Sequence, residues 1–251
     1  MAIPAHLVLD LDDTILDYSA PAEKVWTRLY DEFARRMDLP VVQLQRAVDE
    51  SRRWYWSDPD RFREGRLDLK RARRVFLRDA FGKLGRTDLT TADELADAFT
   101  REREIVVRPF DGAVEALEVF QSNGACMVLL TNGEASLQRA KLERFGLARF
   151  FRAILIESET GVGKPDPLAH RAALASLGAA PQQAWMIGDD LEFDIRPAKA
   201  LGMRAVWICD PPAVNAGMAD FTIPSLRVLA SRWESSVPDE AHYKPNDHGS
   251  E

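Results

Sequence analysis

The chain has 251 residues, 46% of them hydrophobic and 29% charged, with 14 Gly, 14 Pro, two Cys and a formal net charge of −7. This is the composition of an ordinary soluble globular protein with enough apolar material for a core, which excludes collagen-like and wholly disordered chains. The longest apolar stretch, Ala125–Leu130, falls far short of the roughly 18 residues of a membrane span, and a pI of about 5.3 opposes a nucleic-acid polymer as partner.

The N-terminus lacks the basic, apolar and cleavable segments of a signal peptide, so a cytoplasmic location is expected. Cys126 and Cys209 sit inside apolar runs and read as small buried hydrophobes, not as a disulfide. The first predicted strand, Leu7 to Leu9, runs into Asp10-Leu-Asp12-Asp13-Thr14. If the strand persisted, Asp10 and Asp12 would share a face at its carboxyl end, where open α/β sheets place ligands. Two carboxylates so close repel unless a cation lies between them or one stays protonated. A plain acidic turn is the alternative.

From about residue 19 to 108 no strand is expected, only helical stretches at Ala20 to Met37, Val41 to Ser57, Leu67 to Leu84 and Ala92 to Glu104. The last is preceded by Thr91-Ala-Asp-Glu94, a capping-box pattern with Thr91 as the cap. This segment holds 20 Lys and Arg against 17 Asp and Glu, a balance of +3, and leaves 13 against 23, or −10, for the rest. Arg52-Arg53-Trp54-Tyr55-Trp56, followed by Arg61, Arg63 and Arg66, concentrates guanidinium and aromatic groups. Arg53, Trp54, Trp56 and Arg63 are candidates to close over an anionic or aromatic part of a substrate. In the alternative the rings pack the helices and the arginines pair with Asp58, Asp60 and Glu64.

After a helix at Asp111 to Gln121, a strand at Ala125 to Leu130 ends in Thr131-Asn132-Gly133 before a helix at Ala135 to Phe145. A hydroxyl and a tight turn at a helix start can present N–H groups to an anion, although Thr-Asn-Gly also makes an ordinary turn. The strand Ala153 to Ile156 leads to Gly161-Val-Gly-Lys164-Pro165-Asp166-Pro167. Proline suits a first helical turn and leaves Lys164 immediately before it, either aimed at the strand ends or solvated. The strand Ala184 to Ile187 ends in Gly188-Asp189-Asp190 with Asp194 four residues on, oxygen ligands suited to Mg²⁺. For Asp190 and Asp194, helix capping is the alternative. A strand at Ala205 to Ile208 follows, and the polar segment from about Pro238 to Glu251 is expected to be mobile. Strands alternating with amphipathic segments imply an α/β protein with a parallel sheet.

These four strand-end motifs, in this order over roughly residues 7 to 229, closely resemble those of the haloacid dehalogenase-like (HAD) hydrolase superfamily. The resemblance implies a Rossmann-like doubly wound core from residues 1–18 and 109–237, with residues 19–108 as an inserted type 1 helical cap. The stretch Thr131 to Leu147 is most similar to the pyrimidine 5′-nucleotidase and N-acylneuraminate-9-phosphatase branch. By motif position, the resemblance makes Asp10 the nucleophile of an aspartyl-phosphate pathway and Asp12 the acid and base. It places Mg²⁺ on Asp10, the backbone carbonyl of Asp12 and Asp189, with Thr14, Asp190 and Asp194 in support. Thr131, Lys164 and the amides of Asn132 and Gly133 would cradle the phosphoryl oxygens. The implied activity is a Mg²⁺-dependent phosphatase acting on a small phosphorylated metabolite, as a monomer or homodimer, with no membrane or nucleic-acid partner. Nucleotide, sugar phosphate and phosphoglycolate all remain open as substrates. The family's dehalogenases lack the acid two residues after the nucleophile, because halide leaves unprotonated, so Asp12 argues for phosphoryl transfer. A phosphomutase, a 2-haloacid dehalogenase and a non-catalytic phosphate-binding regulator are the competing readings.

Overall fold

Short aliphatic runs separated by longer amphipathic segments pair side by side in parallel, because each crossover helix covers the sheet face it returns across. The computed structural model describes residues 5–87, 89–210 and 217–234, so the tail expected to be mobile lies outside the described residues. Strand β1 (His6–Leu9) passes through a tight loop to β2 (Leu16–Asp17). The helices α1 (Ser19–Arg36), α2 (Val41–Trp56), α3 (Pro59–Leu67), α4 (Leu69–Lys83) and α5 (Thr90–Val106) follow. β3 (Arg108–Pro109) then pairs antiparallel with β2, Leu16 opposite Pro109 and Asp17 opposite Arg108. The helical segment thus leaves and rejoins the chain through one short ribbon. Alternation resumes with α6 (Ala113–Ser122), β4 (Cys126–Thr131), α7 (Ala135–Arg144), β5 (Ala153–Ile156), α8 (Glu157–Thr160) and α9 (Pro167–Leu177). It ends with β6 (Ala184–Gly188), α10 (Arg196–Ala200), β7 (Arg204–Ile208), β8 (Phe221–Ile223) and α11 (Leu226–Glu234).

Six strands form one parallel sheet in the order β5-β4-β1-β6-β7-β8. The chain builds outward from β1 first on one side and then on the other, so the switch point of the topology lies at the carboxyl end of β1. Leu7, Leu9, Met127, Leu129, Trp185 and Ile187 face α6 and α11, while the alternate residues Val8, Val128, Leu130 and Met186 face α9. This two-residue alternation, buried on both faces, is why the strands read as unbroken apolar runs. The helical segment has a core of its own, centred on Trp26, Phe33, Phe76, Phe81 and Phe99, with the Trp26 and Phe99 rings stacked at 3.8 Å. Among the described residues no helix is long and apolar enough to cross a membrane.

Several local expectations need correction. α5 begins at Thr90, so Thr91 is already helical, and Glu94 engages Arg36 rather than closing a capping box. The helix expected at Leu67 to Leu84 starts at Leu69, because Asp68 breaks the chain and caps α4 by accepting from Arg71 N–H. Asp58 likewise caps α3, a helix the apolar periodicity did not reveal. β8 also went unforeseen, being only three residues long. Cys126 and Cys209 form no disulfide with each other, and both are partly buried rather than fully so.

Candidate active site

β1 ends at Leu9, and the backbone of Asp10 continues its ladder by donating to the Ile187 carbonyl at 3.0 Å. The strand does not persist through Asp12, so the two carboxylates do not share a strand face. Asp10 is buried at the carboxyl end of the central strand β1, and its Oδ1 accepts from Lys164 Nζ at 2.5 Å. The same ammonium donates to Asp194 Oδ1 at 2.6 Å. Asp194 Oδ2 in turn accepts from the Asp190 N–H at 3.1 Å. Asp190 does what helix capping requires, accepting from the N–H groups of Glu192 and Phe193 at the start of a π-helical turn, Leu191–Ile195. Asp189 is held at the end of β6 by the Trp207 indole N–H, which donates to its carbonyl at 2.7 Å. The Thr14 hydroxyl approaches its carboxylate at 3.4 Å.

Ligand oxygens of Asp10, Asp189 and Asp194 all lie within 4.8 Å of one another. Burial pushes the Asp10 carboxyl up to about 7, with Asp194 adding to the rise and the Lys164 contact opposing it. Burial also raises Asp189, to about 8, helped by Asp10 and Asp194. Burial raises Asp194 as well, against Lys164. For Lys164, burial alone would favour the neutral amine; attraction to Asp10 and Asp194 overrides it and keeps the ammonium charged. Two buried carboxylates and the half-buried Asp189 facing one ammonium leave an excess of negative charge that burial penalises. An all-oxygen donor set of this kind fits a hard divalent cation.

Asp12 turns away from this cluster toward α7. Lys141 Nζ donates to both of its oxygens, at 2.9 and 2.8 Å, and Gln138 Nε2 reaches Oδ2 at 3.1 Å. Gln138 Nε2 also donates to the buried Thr131 hydroxyl at 2.6 Å and to the Asn132 carbonyl at 3.1 Å. Lys141 packs 3.8 Å from the Tyr18 ring centre. Asn132 clamps Lys164 from the side: its Nδ2 donates to the Lys164 carbonyl at 2.7 Å and its Oδ1 accepts the Lys164 N–H at 2.8 Å. Gly133, at φ +108°, points its N–H to Glu157 Oε2 at 3.1 Å, so that amide is already engaged by a buried carboxylate. Lys164 does not directly precede a helix. α9 starts at Pro167, capped by Asp166.

In the helical segment, Arg53 is exposed and bonds within its own helix, and the exposed Trp54 ring is covered by Arg61 at 4.2 Å. Arg63 pairs with Asp60 on the surface and lines a cleft shared with Gly161 to Pro167. Trp56 packs edge-on against Tyr55 and Phe62. The arginine of this cluster that touches the core is Arg66, which bonds Glu157 and donates to the Lys164 carbonyl at 3.3 Å. Phe62 meets Phe193 beside it, ring centres 5.8 Å apart. Gln138, Lys141, Glu157 and Arg66 are not among the site residues that the sequence marks. For Gln138 and Lys141 a signal existed: polar residues three apart on the turn that Leu142 buries.

Comparison with known proteins adds the family. A model described as haloacid dehalogenase-like hydrolase matches residues 4–202. A phosphoserine phosphatase from Thermus thermophilus is 47% identical over 118 residues, 47% of each chain. A ribulose-1,5-bisphosphate 5-phosphatase from Halopiger xanaduensis is 37% identical over 49% of each. The matches to these two thus span about half their length. A glyceraldehyde 3-phosphate phosphatase from Methanopyrus kandleri is 30% identical over 205 residues, 80% of this chain and 82% of that one. Among solved structures, a 2-haloacid dehalogenase from Pseudomonas syringae shares 28% identity at a TM-score of 0.62, covering 92% of this chain and 100% of that one. With a parallel sheet whose strand order reverses at β1, chemistry-bearing residues at four strand ends and a family match that spans the helical segment and four strands of the sheet, the chain belongs to the haloacid dehalogenase-like hydrolase family.

Proposed function

We propose that the protein is a Mg²⁺-dependent phosphatase that hydrolyses a small phosphomonoester through an aspartyl-phosphate on Asp10. The observation that carries this reading is the separation of two carboxylates by environment. Asp10 is buried against Lys164 and the Asp189–Asp194 pair, whereas Asp12 is held apart by Lys141 and Gln138. One is placed to attack and the other to move a proton. The phosphatase names of the sequence relatives support the same class.

In the first step an oxygen of Asp10 bonds to phosphorus, the bond from phosphorus to the leaving oxygen breaks, and Asp12 gives that oxygen its proton. In the second, Asp12 takes a proton from water, the water oxygen bonds to phosphorus, and the Asp10–phosphorus bond breaks to release inorganic phosphate. Lys164 and the Thr131 hydroxyl supply positive charge and a donor to the phosphoryl oxygens. Asp10, Asp189 and the Asp12 carbonyl would hold the cation, which neutralises the charge of the phosphoryl group against the carboxylates. Asp194 positions Lys164, and Asn132 fixes the backbone that carries it.

Asp10→Asn is expected to lower phosphate release from p-nitrophenyl phosphate by at least about 10⁴-fold while leaving the circular dichroism spectrum unchanged. Substantial turnover by that variant would overturn the reading. The dehalogenase structural relative favours a second reading, which halide release from 2-haloacids tests. None is expected, because halide leaves without a proton and an acid placed as Asp12 is has no part in that reaction.

A further inference from the structure

The first turns of α1 and α4 and the last turns of α2 and α5 converge on a cavity of about 110 Å³. That is well above the roughly 30 Å³ share of a water in the liquid, and gives room for a carboxylate or phosphate group. Three guanidinium groups line it. Arg52 has a partner in Glu23, at 3.4 Å. Arg73 and Arg103 form no ion pair among the described residues. Arg73 is 3% exposed; its Nη1 donates to the Thr100 hydroxyl at 2.8 Å, but its Nη2 is buried without a partner. The Nε of Arg103 is likewise buried and unpartnered. Burial, with Arg103 close by, pulls Arg73 down to about 10, which still leaves it charged at neutral pH. Buried charge without an ion-pair partner is costly, so a fold that keeps the buried Arg73 and the partly buried Arg103 side by side at an open space is built for an anion.

The cavity is linked to the proposed acid through two side chains. Ser19, in its wall, donates to both oxygens of Asp13. The Tyr18 ring that receives Arg103 at 3.5 Å also receives Lys141, the residue that grips Asp12. In the proposed reaction Asp12 serves the leaving alcohol, so the cavity lies on the leaving-group side. We infer that it is a subsite for a second anionic group of the substrate, a carboxylate or phosphate borne on the leaving alcohol. Preferred substrates are then phosphomonoesters with an acid at the far end. This inference rests on the phosphatase reading and narrows it.

The test uses 2-phosphoglycolate and 2-hydroxyethyl phosphate, which differ in a carboxylate against an alcohol, and ethylene bisphosphate, which offers a phosphate instead. The kcat/KM ratio of either acid-bearing ester over 2-hydroxyethyl phosphate is expected to be about 100 or more in the parent, and to fall at least about tenfold in Arg73→Gln and in Arg103→Gln. The better of the two acid-bearing esters tells whether carboxylate or phosphate is preferred. A parent ratio near one for both, or a ratio that survives both substitutions, overturns the inference. If Arg73→Gln fails to fold, Arg103→Gln, where the side chain is only partly buried, carries the same comparison. Failure of the phosphatase reading looks different: the parent releases phosphate from none of the three. Calorimetric titration with the same compounds then decides the subsite. Tighter binding of an acid-bearing ester that Arg103→Gln abolishes upholds it, and equal binding of all three overturns it.

Discussion

At Lys164 a single ammonium is shared by two carboxylates, Asp10 at 2.5 Å and Asp194 at 2.6 Å, while its backbone is locked by the Asn132 amide. A freely rotating lysine would lose entropy on each turnover. This one has lost it in folding, which is how a fixed charge becomes catalytically useful. Lys141 plays a parallel part for Asp12, with Gln138 completing the grip. Asp12 must release one oxygen from this grip when it protonates the leaving group, so Lys141 acts as a positioning residue. Lys141→Met is expected to lower kcat by about 10- to 100-fold, with partial rescue by Lys141→Arg. Steady-state kinetics with p-nitrophenyl phosphate checks this; an unchanged kcat in the Met variant would remove Lys141 from the reaction.

At the scale of elements, the carboxyl end of β6 shows how backbone shape governs a side chain. A Cβ added to Gly188 would lie 2.3 Å from Asp194 Oδ2, so only glycine lets that carboxylate fold back beneath the strand end and reach Lys164. Gly188→Ala is therefore expected to displace Asp194 and with it Lys164, at a cost of about 100-fold in kcat/KM, because a shift of about 1 Å in a reacting group has effects of that size. Thermal unfolding should move far less than activity, and a variant with full activity would show that Asp194 does not set the position of Lys164. Besides the ribbon formed by β2 and β3 and the Arg144 guanidinium that donates to the Glu104 and Ile105 carbonyls, α3 makes a contact with the core. Arg66 reaches Glu157 and Phe62 meets Phe193, so a short helix that Asp58 caps ties the helical segment to the sheet.

For the whole molecule, the excess of buried carboxylate links stability to pH and to cations. Asp189 is raised from 3.8 in the unfolded chain to about 8 in the fold, so the folded state binds the proton more tightly. Its contribution is fully present below about pH 3.8 and is lost as pH rises toward 8. His170 runs the other way: burial and Lys164 lower it to about 4, so it costs stability as pH falls from 6.5. Comparing the parent with Asp189→Asn cancels the histidine. In chelator, the variant is expected to be the more stable protein near pH 8 and to lose that advantage near pH 5. Millimolar magnesium should raise the melting temperature of the parent at pH 8 by more than that of the variant, since a ligand stabilises the state that binds it. Equal responses of the two proteins would dissociate Asp189 from the cation.

The amino-acid sequence alone determined the layering of this protein. Strands buried on both faces must be continuous apolar runs, helices on one face must be amphipathic, and both patterns are written locally at Val128, Met186 or Trp26. It also marked Asp10, Thr131, Lys164 and Asp189, because strand ends and turns have local signatures. Those signatures do not extend to partners far along the chain. That Lys141 closes on Asp12 across 129 positions, that Gly133 donates to Glu157, and that Arg66 rather than Arg53 reaches the core depend on how the elements pack. The same holds for the cavity of Arg73 and Arg103, whose arginines come together only when four helix ends meet. Periodicity follows from the geometry of a single element, whereas the pairing of charges follows from three-dimensional proximity, which only the tertiary structure decides.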